Sequence, residues 1–137
     1  MRIIVDTNRI LSALIRDGRD RKIICSQNIH FFTLDYVLEE INKYMDYIID
    51  KSELSKEEVD TLLSLFMENI IIVTDEKIKL KMGEAMEIMK GIDPKDAPIL
   101  SCALALQNND GLWSEDKHLH KQKRVKAWHS KDLLKYI

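Results

Sequence analysis

Short apolar runs alternate with longer amphipathic stretches along the chain. Arg2-Ile3-Ile4-Val5 is a β-branched run that stops at Asp6, and Ile10, Leu11, Ala13 and Leu14 then recur at helical spacing. The pattern predicts a strand over 2–5 and a helix from Thr7 to Asp17, broken near Gly18. A short helix over Arg21–Gln27 and a strand over Ile29–Thr33 follow. Leu34, Val37, Leu38, Ile41, Tyr44, Met45 and Ile48 keep helical spacing and predict one amphipathic helix from Leu34 to Ile49. Ser55 and Glu58 form a capping-box pair that starts a helix running to Met67. Ile70–Val73 is apolar throughout, as expected of a strand covered on both faces. Glu76 to Met89 is helical, with Met82, Met86 and Met89 as core filler. A loop over Gly91–Asp96 leads to a nearly all-apolar, buried helix over Ala97–Gln107. After the turn Asn108–Gly111 come a strand over Leu112–Ser114, ended by Asp116, and a last strand over Val125–Trp128. Ser130 then caps a terminal helix. Strands and helices in alternation predict an α/β fold, a mainly parallel sheet with helices on both faces.

Composition narrows the setting. A chain of 137 residues, 45% hydrophobic and 32% charged, is expected to fold as one domain over 1–137 with a core that needs no disulfides. Cys25 and Cys102 have no metal-ligand spacing and read as buried thiols of a reducing compartment. Met1-Arg2 leads straight towards Asp6 with no signal-like apolar region, and no run approaches a membrane span, so a cytoplasmic protein is expected. The net charge of −2 is unevenly spread: residues 34–90 carry 14 acids against 7 bases, and residues 111–137 carry 7 bases against 3 acids. A second basic cluster, Arg16, Arg19, Arg21 and Lys22, follows the first helix. Overall acidity argues against indiscriminate coating of nucleic acid, but these patches can hold a phosphate backbone or serve as solvated faces.

Four acids sit at junctions or edges. Asp6 closes the first strand, Asp116 follows the Leu112–Ser114 strand, and Asp96 opens a helix. On the 34–49 helix Glu40 lies about 100° from the centre of the apolar stripe and Glu39 about 160°, so Glu40 can reach towards the sheet and Glu39 faces solvent. Each acid alone has a structural reading, as a cap, an Asx-turn or a surface charge. Together, four carboxylates at one end of a parallel sheet repel one another unless a cation sits among them, and oxygen ligation suits Mg²⁺ or Mn²⁺. Two such ions, roughly 3.5–4 Å apart, can activate water and stabilise a leaving oxygen in phosphodiester hydrolysis. No Gly-rich phosphate loop is present, and neither Lys nor Ser is placed for covalent catalysis.

Four stretches carry a family resemblance: Ile4-Val5-Asp6-Thr7-Asn8, Leu38-Glu39-Glu40-Ile41, Asp93-Pro94-Lys95-Asp96-Ala97-Pro98-Ile99-Leu100 with Ala103-Leu104-Ala105-Leu106, and Leu112-Trp113-Ser114-Glu115-Asp116-Lys117-His118-Leu119. In order and spacing the chain resembles the PIN-domain nucleases over nearly its whole length. The resemblance implies a three-layer α/β/α sandwich and an Mg²⁺- or Mn²⁺-dependent cut in single-stranded RNA. It carries metal-site roles onto Asp6, Glu40, Asp96 and Asp116, and polar helper roles onto Asn8 and Ser114. Asp93 is implied as an outer helper or turn former. Arg9 and Glu115 depart from the family pattern. Arg9 stands where an apolar residue is usual, and Glu115, as an auxiliary group, adds negative charge near the metals. Arg16, Arg19, Arg21 and Lys22, with Lys117, His118, Lys121, Lys123 and Arg124, are candidate RNA contacts. For His118 and His120, surface or phosphate-contact roles are preferred over catalysis. The resemblance further implies a homodimer and, as for many stand-alone prokaryotic members, a toxin role with an antitoxin partner. The competing reading is an inactive RNA-binding or scaffold module on the same fold. A phosphatase using Asp6 as nucleophile would want a second acid where Asn8 stands.

Overall fold

A computed structural model describes residues 1–137. The apolar runs become five strands: β1 (Arg2–Val5), β2 (His30–Leu34), β3 (Ile70–Val73), β4 (Leu112–Trp113) and β5 (Ala127–Trp128). They form one sheet in the order β3-β2-β1-β4-β5, and every neighbouring pair is parallel. The amphipathic stretches become α1 (Thr7–Ile15), α2 (Arg19–Ile24), α3 (Val37–Lys43), α4 (Met45–Ser52), α5 (Lys56–Met67), α6 (Asp75–Met89), α7 (Ala97–Ala105), α8 (Lys117–Lys121) and α9 (Ser130–Leu133). The fold is the expected α/β sandwich.

Side-chain alternation in the central strands divides the core between the two sheet faces. Ile3, Val5 and Phe31 pack with Ile10, Leu14, Ile23, Ile41, Ile48, Val59, Phe66 and Leu133, which places α1 to α5 and α9 on one face. Ile4, Phe32 and Leu34 pack with Ile78, Ala85, Met89, Leu100 and Leu119, which places α6 to α8 on the other. The chain winds outward from β1 to β2 and β3, then returns to lay β4 and β5 on the opposite side. The strand order therefore reverses between β1 and β4, and in open parallel sheets the crevice at such a reversal, beyond the strands' carboxyl ends, is where ligands bind.

Several expectations need correction. The predicted Leu34–Ile49 helix is two helices. Leu34 belongs to β2, paired with Val73, and the backbone leaves helical geometry at Tyr44 (φ −102°, ψ 12°). Periodicity could not show this, because Val37, Ile41 and Ile48 share a face whether or not the helix is broken. Leu38 and Tyr44, counted in the apolar stripe, are exposed. The β3 strand is an edge strand and not a doubly covered one: Ile70 and Val73 are buried, but Ile71 and Ile72 are exposed. Cys102 is buried as expected and Cys25 is exposed, as is Met86. Ser130 does not cap α9 through its hydroxyl, which instead accepts the buried Trp113 Nε1–H at 2.9 Å. The capping box of Ser55 and Glu58 forms as predicted.

Candidate active site

Parallel pairing of Val5 with Trp113 puts Asp6 beside Ser114 at the carboxyl end of the two central strands. The Asp6 N–H donates to the Trp113 carbonyl at 3.1 Å, extending the ladder one residue beyond the strand. Across this junction Ser114 Oγ donates to Asp6 Oδ2 at 2.7 Å and accepts the Asp116 N–H at 3.0 Å. One buried hydroxyl thus orients the first acid and fixes the turn that carries another. The Asp116 carboxylate accepts the His118 N–H at 2.9 Å, the cap position of α8, and also faces His118 Nδ1 at 3.1 Å. His118 Nδ1 lies 3.5 Å from Asp93 Oδ2 on the opposite loop.

That loop is shaped by its sequence. Asp93 Oδ1 accepts the Lys95 N–H, Pro94 opens a single 3-10 turn, and Asp96 follows directly before α7. Asp96 occupies the cap position of α7 yet makes no capping hydrogen bond with its side chain. Its Oδ2 is shielded from solvent and has no hydrogen-bond partner at all. An orphaned carboxylate oxygen of this kind is unfavourable unless something cationic or protonated meets it. Ligand atoms of Asp93, Asp96 and His118 lie within 4.8 Å of one another, close enough for one ion. Two carboxylates and an imidazole fit a divalent cation, and the nitrogen favours Mn²⁺ over Mg²⁺ within that class.

Electrostatics at the junction point the same way. Burial, followed by the negative charges of Asp116, Asp93 and Asp6, pushes Asp96 up to about 7. Burial likewise raises Asp6, against the opposing Ser114 hydroxyl and Arg9 charge, with Asp116 adding to the rise. These acids are near enough to resist ionising together, the signature of carboxylates sharing a site.

The remaining sequence candidates divide. Glu40 is half-buried on α3 while Glu39 is exposed, as the helical phase required. Glu40 is not among the residues whose ligand atoms cluster with Asp96, and it neighbours Tyr36, one turn earlier, whose phenol is pushed up to about 12 by burial and by the charges of Glu40 and Asp6. Tyr36 is a site neighbour that the sequence reading missed. Its only signal was the i, i+4 spacing to Glu40. Asn8 is exposed in the first turn of α1, and it is its backbone N–H that lowers Asp6. Glu115 points away from them: Oε1 accepts the Ser130 N–H at 2.7 Å and Oε2 meets His129 Nδ1 at 3.3 Å. Burial would raise its pKa, but these bonds hold it below the usual range. His129 stacks on His120 at 3.8 Å between centroids, and His120 Nε2 meets the Ser114 carbonyl, so both imidazoles brace the strand end from behind. His118, expected in a surface or phosphate-contact role, lies among the acids. Of the basic candidates, Arg21 is spent on the Ala13 and Leu14 carbonyls at the end of α1. Arg124 is paired with Glu84. Arg16, Arg19, Lys22, Lys117, Lys121 and Lys123 are exposed.

The PIN domain family profile matches residues 4–137. The chain belongs to the PIN-domain family. No curated protein matches it. PIN domains are generally nucleases that use divalent metals, and they commonly bind nucleic acids and sometimes antitoxins. No helix of this PIN domain is long and apolar enough to cross a membrane.

Proposed function

We propose that this PIN domain, as a single domain over 1–137, is a cytoplasmic, Mg²⁺- or Mn²⁺-dependent endoribonuclease that hydrolyses single-stranded RNA. The observation that carries the reading is the convergence of Asp6, Asp93, Asp96, Asp116 and His118 at the β1/β4 reversal, with one buried carboxylate oxygen left unpartnered. Asp6, Glu40, Asp96 and Asp116 are the proposed metal ligands, joined by Asp93 and His118. Divalent ions held there supply charge stabilisation at the phosphoryl oxygens and a water of lowered pKa. Ser114 holds the Asp6 carboxylate in place, and the His118 imidazole lies between Asp93 and Asp116. Asp96, the acid most reluctant to ionise, holds a proton near neutral pH whenever no cation replaces it. The toxin role, its antitoxin partner and a homodimer belong to the same proposal through the family resemblance.

End-labelled single-stranded RNA should be cut internally with Mn²⁺ or Mg²⁺ and left intact in chelator. RNA that is bound yet uncut with either ion would favour the inactive scaffold reading. A paired substitution tests the fourth acid. Glu40→Gln should slow cleavage by at least about 10-fold, the lower end of losses for groups that support a metal site. Glu39→Gln, one position along and exposed, should leave the rate unchanged. Equal rates for the two variants would remove Glu40 from the site.

A further inference from the structure

A second polar cavity lies beside the acids and plays no part in holding an ion. Arg9 and Ser12 share one face of α1 at i and i+3, and Arg16 follows the helix in extended backbone. The chain turns at Gly18, and Arg19 and Asp20 at the start of α2 complete a cavity of about 430 Å³ without one apolar side chain. Asp20 is 6% exposed. Its Oδ2 accepts Arg9 Nη1 at 2.8 Å, and its Oδ1 lies 3.9 Å from Arg19 Nε. The buried carboxylate thus holds the Arg9 guanidinium in place and draws that of Arg19 near, while its Oδ1 has no hydrogen-bond partner. One negative charge against three positive ones leaves the cavity cationic. Arg9 Nε, moreover, is shielded from water and has no hydrogen-bond partner. A buried N–H of a charged group left unpaired is unfavourable, and it adds to the uncompensated positive charge at the cavity wall. Guanidinium forks match the oxygens of a phosphate in paired hydrogen bonds, which a lysine-lined surface would not offer.

Arg9 also joins this cavity to the acidic site. It follows Asp6 by one helical turn, with the Arg9 N–H donating to the Asp6 carbonyl at 2.9 Å, and its charge lowers both Asp6 and Glu115. We propose that the cavity of Arg9, Ser12, Arg16 and Arg19 is a phosphate subsite that grips the single-stranded RNA backbone next to the phosphate to be cut. Its identity as an RNA subsite rests on the nuclease reading above, whereas anion binding rests on the cavity alone. The same arrangement accounts for Arg9, the departure from the family pattern. Asp20 anchors it at 2.8 Å, with its side chain lining the cavity.

The test uses the Arg16→Gln/Arg19→Gln double variant, since both side chains are exposed and removing them leaves the core and the Arg9–Asp20 pair intact. Binding is measured in chelator, where nothing is cut, with inorganic phosphate and with a short single-stranded RNA. Phosphate should shift the Ser12 and Gly18 amide resonances of the wild type and not those of the variant. RNA affinity should fall about 10-fold, and the slope of log K against log salt should drop by about 0.7, the value for one phosphate contact on a single strand. Lys131→Gln/Lys135→Gln, neither of which lines the cavity, controls for net charge and should keep the slope. RNA with and without a 5′-phosphate should respond equally; a response confined to the phosphorylated end would overturn the backbone assignment. Unchanged RNA affinity and slope in the arginine variant, with cleavage intact, overturns the subsite and leaves the nuclease reading standing. Arginine-dependent phosphate binding in a protein that cuts no RNA does the reverse.

Discussion

Asp96→Asn is expected to lower RNA cleavage by at least about 100-fold and, in chelator at pH 8, to raise the melting temperature. The two effects have one cause. In the wild type without metal, Asp96 is forced to ionise beside Asp116, Asp93 and Asp6 with a buried oxygen unpartnered. Asparagine removes that charge while retaining the side-chain shape. The sign follows from proton linkage. The folded pKa is raised to about 7 against an unfolded value near 3.9, so between those values the folded state holds a proton that the unfolded chain has released. Wild-type stability in chelator should therefore fall as pH rises from about 4 to about 7, and this part of the pH dependence should be absent from Asp96→Asn. Adding Mn²⁺ should stabilise the wild type, because a ligand of the native state shifts unfolding in proportion to its binding, and should stabilise the variant less. Melting curves at pH 5 and pH 8, with chelator and with metal, give all four comparisons. If Asp96 were only a helix cap, Asn would leave every one of them unchanged, since the two residues cap about equally well.

Gly111→Ala is expected to destabilise the fold by about 3 kcal/mol or more, lowering the melting temperature by on the order of 10 °C. Gly111 has φ +121°, a conformation that L side chains rarely adopt. A Cβ there would sit 2.3 Å from the Lys126 carbonyl oxygen and 2.9 Å from Trp128 Nε1. Neither neighbour is free to retreat: Lys126 O accepts the Leu112 N–H, and Trp128 Nε1 donates to the Asp110 carbonyl. The damage should spread to β4 and with it to Ser114 and Asp116, so residual folded protein should also show weakened metal binding. A thermal shift of only a degree or two would mean that this turn can relax in ways the hydrogen-bond pattern does not allow.

Much of the fold was legible because each strand is a compact apolar run ending at a charged or polar residue. Asp6 and Asp116 could be placed just beyond strand ends from sequence alone, and parallel pairing then put Asp6 beside Ser114, whose hydroxyl links it to Asp116. Glu40 was separable from Glu39 by helical phase, which survived even though the helix carrying it proved shorter than expected. What stayed hidden depended on contacts distant in sequence. The exposure of Ile71 and Ile72 follows from β3 lying at the sheet edge, and strand order is not written in local hydrophobicity. The destination of Glu115 was set by the Ser130 N–H on a neighbouring element, and that of Arg21 by two carbonyls ending α1. The nearness of His118 to Asp93, 25 residues earlier in the chain, has no local signal either.

The bond between Ser114 and Asp6 spans 108 residues, and β1 is completed on its β4 side only when Leu112 and Trp113 arrive. A ribosome-bound chain that has already emitted Asp6, Glu40 and Asp96 therefore still lacks the strand that aims the first of them. Contacts this distant along the chain form late, and domains generally close as units. The acidic site is therefore assembled only after the segment from Leu112 to Asp116 has been added, whatever the earlier strands have already formed.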